Sequence, residues 1–166
     1  MILATHAIVG AALASFLPSR PAAAALVGFA SHFIVDAIPH WDYPVWSAAM
    51  VPNSRAHLKY DRALLRDLVV LASDSLLGIL LALWLFASAD SRWAILLGAC
   101  GAMLPDPLQF LHNRFPREPL RSLQRFHVWM HTNQRMEGRV ILGVASQLIF
   151  VVAVVLLAMA ARRSFL

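Results

Sequence analysis

Charge is scarce in this sequence. Only 14% of its 166 residues are charged, where a soluble domain carries roughly a quarter. Cysteine is nearly missing as well. Cys100 stands alone in an apolar stretch, so no intrachain disulfide can form, and the residue gives no sign of compartment. These shortages exclude a disordered chain, a disulfide scaffold and a two-domain soluble enzyme. What fills the space is apolar: 60% of residues are hydrophobic and the mean hydropathy is +0.66. Five helices of ~20 residues, each long enough for ~30 Å of hydrocarbon, would use roughly 100 residues and leave short loops.

Five apolar segments are visible. Leu3–Leu17 is short and stops at Pro18-Ser19-Arg20-Pro21. Ala22–Ile38 follows and is stopped by Pro39. Leu64–Ala89 is the longest, Trp93–Leu111 is interrupted near its end by Pro105 and Pro107, and Val140–Ala161 closes at Arg162-Arg163. The expected fold is therefore all-α: one integral-membrane domain over 1–166 with about five transmembrane helices. Its parts are helical hairpins over 3–38 and 64–111, an interfacial segment over 112–139 and a final span over 140–161. No cleavable signal peptide is expected, because no basic stretch precedes the first segment and His6 lies inside it. At 1.5 Å per residue that segment reaches only about 22 Å, which suits a partly re-entrant helix.

The net charge is +5 and the pI about 10.7. The basic residues flank apolar segments, so they read as topology signals and no nucleic-acid partner is expected. With loops alternating sides, Arg55, Lys59, Arg62, Arg66, Arg114, Arg117, Arg121, Arg125, Arg135 and Arg139 fall on one side. Arg20, Arg92, Arg162 and Arg163 fall on the other. Ten against four places the N-terminus and both long loops in the cytoplasm of a bacterial inner membrane, with the C-terminus outside. Trp41, Tyr43 and Trp46 suit an interfacial aromatic belt. Asp61, Arg62, Arg66 and Asp67 read as the charged start of the third span, and His57 and Lys59 as solvated loop residues. Within 112–139, Pro119 suits a helix start. Leu120, Leu123, Phe126, Trp129 and Met130 then recur at helical spacing, as in an amphipathic helix lying on the membrane surface.

Charged groups inside apolar spans are costly and usually functional. His32 and Asp36 are four apart and share a helix face. Pro39 turns the chain and can return His40 to them. Imidazoles and a carboxylate converging in a dry place suit a divalent metal such as zinc. In the expected topology His6, His32, Asp36, His40, Asp106, His127 and His131 all lie toward the cytoplasmic side, while Asp74 lies nearer the midplane. The seven are the expected ligands of a shared metal site. Asp74 reads either as a bridging ligand or as the base orienting a water. His127 and His131 either complete the metal shell or act as acid, and Asp42 reads as a support for His40. Arg121 and Arg125 would hold an anionic phosphate.

A short internal repeat points the same way. His6-x3-Gly10 is followed by Gly28-x7-Asp36, and Asp74-x3-Gly78 by Gly98-x7-Asp106. Two packed hairpins would bring His6, Asp36, Asp74 and Asp106 to one centre, and the four glycines would permit close helix approach.

Thr5-His6, Ser31-His32-x3-Asp36-x2-Pro39 and Leu104-Pro105-Asp106 resemble motifs of the bacterial inner-membrane metal-dependent hydrolase family, described as LexA-regulated in enterobacteria. The likeness covers about a quarter of the chain. The Ser-His-x3-Asp piece comes second here rather than last, Pro105-Asp106-Pro107 lacks the family's second Asp and its His, and His127-x3-His131 lacks its Arg-Gly. His32, Asp36 and His40 are also distantly similar to the ligand arrangement of the all-helical zinc-dependent phospholipase C and P1 nuclease group. That resemblance implies phosphoester hydrolysis. The expected activity is a metal-dependent hydrolase acting on a lipid phosphate or phospholipid head group. The alternatives are a non-enzymatic metal-binding protein and a metal transporter.

Overall fold

A computed structural model describes residues 1–49, 57–58, 61–132, 136 and 138–165. Arg55, Lys59 and Arg135 lie outside these residues, as does the side chain of His57. The described chain is a helical bundle: α1 Leu3–Ala14, α2 Pro21–Asp36, α3 Arg62–Phe86, α4 Arg92–Met103, α5 Pro105–Arg114, α6 Leu120–Met130 and α7 Val140–Phe165. Ala48–Ala49 and His57–Leu58 add a two-residue antiparallel ladder.

The helix ends follow from local chemistry. Pro21 starts α2 at a position where its missing N–H costs nothing. Asp61 caps α3 by accepting the Ala63 N–H at 2.8 Å. Pro105 cannot donate the hydrogen bond that would continue α4, so a new helix begins there, bent by 41° from the first. The segment expected as one span over 93–111 is thus α4 followed by α5. Consequently 112–114 belong to α5, and the surface helix expected over 112–139 narrows to α6.

The first helix is the centre of the molecule. Eleven of its twelve residues are buried, and it touches α2, α3, α4 and α7. A helix apolar all round suits such a place. Its small residues let the neighbours close in: Ala7, Ala11 and Ala14 are wholly covered. Gly10 of α1 and Gly28 of α2 both lie against the Gly98 backbone of α4, so a methyl group at either would run into that carbonyl. Gly78 of α3 lies against Ala4 and Ala7 in the same way. The four glycines of the internal repeat therefore sit at close helix approaches.

Among the described residues, two helices are long and apolar enough to cross a membrane, α3 and α7, and a third if α4 and α5 count as one bent span. At 25 and 26 residues, α3 and α7 reach about 37–39 Å. They leave their apolar sides open: Trp84 is 79% exposed and Ile141 88%. The two helices that begin the chain are shorter than the five-span expectation required. At 12 and 16 residues, α1 and α2 reach only about 18 and 24 Å.

Candidate metal centre

The hairpin α1–α2 has both its ends at one end of the bundle, which places His6 beside His32 and Asp36. The break after α4 brings Asp106 to the same place, in the first turn of α5, where a carboxylate also complements the helix dipole. The last turn of α6 adds His127 and leads into His131. Two backbone hydrogen bonds hold this return in register, from the Thr132 N–H to the Asp36 carbonyl at 2.9 Å and from the Met136 N–H to the His40 carbonyl at 3.1 Å.

Asp36 is the hub. Its Oδ2 lies 3.1 Å from His32 Nε2, 3.2 Å from His127 Nε2 and 3.9 Å from His131 Nε2. Its Oδ1 lies 3.1 Å from His6 Nε2 and 3.9 Å from His40 Nε2. His32 Nε2 also faces Asp106 Oδ1 at 3.5 Å, and His40 Nε2 faces Asp42 Oδ2 at 3.3 Å. The Met1 backbone nitrogen is 3.1 Å from Asp36 Oδ1 and 2.7 Å from Asp42 Oδ1. His6, His32, Asp36 and His40 are all at most 1% exposed. His6 stacks on His32, with ring centroids 4.1 Å apart.

The second nitrogens of these rings fix their protonation. His32 Nδ1–H donates to the Ala102 carbonyl at 2.8 Å, His40 Nδ1–H to the Ile38 carbonyl at 2.7 Å, and His131 Nδ1–H to the Thr132 carbonyl at 2.9 Å. A carbonyl can only accept, so each Nδ1 carries a proton, and when the ring is neutral its Nε2 lone pair turns inward. Those lone pairs meet carboxylate oxygens, which are also acceptors. Protonating every ring instead would crowd like charges, since His32 and His127 are 5.0 Å apart between centroids, as are His40 and His131. A cation between them resolves both problems, and an Nδ1–H bound to a backbone carbonyl is the usual way a metal-ligating histidine is oriented.

Among the described residues, two sets of donors are spaced for an ion. His32, Asp36, Asp106 and His127 form one, and Asp36, His40 and His131 the other, with ligand atoms within 4.8 Å of one another in each set. Burial holds the His131 imidazole below its ordinary value, which favours the neutral, ligating ring.

Of the residues expected at the site, His32, Asp36, His40, Asp106, His127 and His131 are thus brought together, and His6 touches the hub from the α1 side. His6 Nδ1 and Nε2 and His40 Nε2 are buried without a hydrogen bond of proper geometry. Asp74 lies apart from these sets. Its Oδ2 accepts the Ala4 N–H at 3.1 Å and the Tyr43 hydroxyl at 3.4 Å. Arg121 and Arg125 are exposed on α6. Arg125 precedes the inward-facing His127 by two residues, about 160° around the helix, so it points away from the centre.

One positioning residue escaped the sequence reading. Gln147 of α7 is 2% exposed. Its Oε1 accepts the Ile2 N–H at 3.1 Å, and its Nε2–H donates to the Trp41 carbonyl at 2.8 Å. It thereby ties α7 to the start of α1, which carries His6, and to the segment after α2, which carries His40. The available signal was an amide inside the otherwise apolar run 140–161.

No family model matches the chain, and neither a curated protein nor a solved structure matches it.

Proposed function

We propose that this protein is a divalent-metal-dependent hydrolase embedded in a bacterial inner membrane, acting on a phosphoester of a lipid or lipid-linked substrate. The observation that carries the metal is the convergence of Nε2 lone pairs, locked by Nδ1–H bonds, on the buried Asp36 carboxylate. Nitrogen and carboxylate donors without thiolate suit zinc. A divalent ion held there supplies an acidified water and a Lewis acid for the phosphoryl oxygen. Hydrolysis then joins a water oxygen to phosphorus and breaks the ester P–O bond, with the water's proton passing to the leaving alkoxide.

The lipid part of the proposal rests on the surface. The exposed apolar sides of α3 and α7 suit a bilayer. Phe126, Val128 and Trp129 are exposed on α6 beside its arginines, the composition of an interfacial helix. An open apolar groove lined by Leu3, Ser75, Cys100, Met103, Leu104 and Pro107 runs next to Asp106 and is suited to an acyl chain. Arg121 and Arg125, pointing outward, are placed to hold head-group phosphates at the interface rather than the reacting group.

The test is elemental analysis of the detergent-purified chain together with phosphate release from a phosphorylated lipid. We expect at least one zinc-like ion per chain, sharply reduced in His32→Ala and Asp36→Ala. His131→Ala should lower both metal content and turnover. Arg125→Ala should weaken turnover of the lipid and leave metal content unchanged. Full metal content in both His32→Ala and Asp36→Ala would make the cluster structural. Metal without any phosphate release would favour the non-enzymatic carrier. Faster turnover of a short soluble phosphoester than of any lipid would count against access from the bilayer.

A further inference from the structure

Asp36 belongs to both donor sets, and its two oxygens face different partners. Oδ2 is closest to His32 and His127, the set completed by Asp106. Oδ1 faces His6 at 3.1 Å and His40 at 3.9 Å, while His131 Nε2, the other imidazole of the second set, lies 3.9 Å from Oδ2. His40 Nε2 is buried, lacks a hydrogen-bond partner, and looks at carboxylates on two sides, Asp36 and Asp42. An ion held by His32, Asp36, Asp106 and His127 does nothing for that nitrogen. The lone pair of His40 needs a cation of its own.

We infer that the site holds two divalent ions bridged by the Asp36 carboxylate, one on His32, Asp106 and His127, the other on His40 and His131. The inference deepens the metal reading above and rests on it. The division is chemically reasonable on both sides. The three-donor set of Asp36, His40 and His131 leaves a fourth tetrahedral position free for water or substrate, as catalytic zinc sites do, while the set of His32, Asp36, Asp106 and His127 supplies four donors. A carboxylate with two oxygens is a natural bridge at the ~3.5–4 Å separation of two-metal sites, where one ion serves the attacking oxygen and the other the leaving oxygen. Such a pair suits in-line displacement at phosphorus. The Ile38 carbonyl backs His40 at Nδ1, and Asp42 Oδ2 lies on the ion's side of the ring, 3.3 Å from Nε2. His6, stacked on His32, closes the hub against the core.

The test is stoichiometry combined with magnetic coupling. Detergent-purified full-length chain is stripped with a chelator and titrated with Mn(II), and bound ion is counted per chain. Two ions are expected, with the exchange-coupled spectrum of a bridged pair. His40→Ala/His131→Ala should retain one ion and lose the coupling, and Asp106→Asn/His127→Ala should do the same from the other side. Melting curves report whether each variant folds, and the wild-type spectrum decides even where one does not. One ion per chain in the wild type would overturn the pair while leaving a mononuclear centre intact. Two uncoupled ions would overturn the Asp36 bridge. No bound ion would overturn the metal reading itself.

Discussion

Asp74 illustrates how a half-buried charge can serve the backbone rather than the chemistry. The first N–H groups of a helix have no partner within it, and those of α1 are buried in the middle of the bundle. Asp74 accepts one of them from Ala4, and Gln147 accepts the N–H of Ile2, the residue that flanks the helix start. A carboxylate there also favours the positive end of the α1 dipole. Asp74→Asn keeps an acceptor at the same place, so its metal content should equal that of the wild type. Asp74→Ala leaves the Ala4 N–H unsatisfied and should cost about 1–3 kcal/mol, read as a lower melting temperature in detergent. Loss of metal from a folded Asp74→Asn protein would put Asp74 back among the ligands. In the sequence the two roles look alike, because a carboxylate in an apolar run says only that a partner exists. The ligands His32 and Asp36 were easier to read, since i and i+4 on one helix must meet.

At the scale of elements, the crossing of α2 and α4 sets the position of the site. Both helices run toward it. Gly28 touches the Gly98 carbonyl, and one turn further on each helix His32 donates to Ala102. A side chain at Gly28 would drive the two apart and carry the His32 ring with it. Gly28→Ala should therefore destabilise the protein by about 1–3 kcal/mol, the usual range for overpacking, and should also weaken metal retention. A melting curve and metal content unchanged from the wild type would mean that this contact holds nothing in place. The glycine spacing was legible in the sequence, and so was the surface helix. The break at Leu104 was signalled only as an interruption. Proline marks where a hydrogen bond is missing, but how far the chain turns depends on what the next helix packs against, here α6.

At the scale of the whole molecule, the short α1–α2 hairpin bears on topology less than its length suggests. Both of its ends lie at the metal-site end, whether or not its turn reaches the far face of a bilayer. At the other end, Arg162 Nη1 donates to the Phe86 carbonyl at 3.5 Å, so the C-terminal ends of α3 and α7 lie together. The sidedness proposed from basic residues is then the same for a five-span chain and for three spans around a re-entrant hairpin. A reporter fused after residue 166 should read as periplasmic, and one inserted near residue 53 as cytoplasmic. The reverse pair of readings would overturn both the orientation and the cytoplasmic placement of the site.

Composition and spacing by themselves determined that the chain is helical and strongly apolar, that histidines and aspartates concentrate among its polar residues, and that His32 and Asp36 share a face. These are local properties, set by helix period and by the cost of charge among apolar neighbours. Only the tertiary structure decided that α1 is the buried axis, that Asp36 is the hub, and that Asp74 caps a helix. It also decided that Arg125 turns outward from the helix that turns His127 in. Each of these depends on which helices touch, through contacts such as Met1–Asp36 and Ile2–Gln147 between residues far apart along the chain. Helical spacing fixes which side chains lie on one face, and packing alone fixes what that face meets.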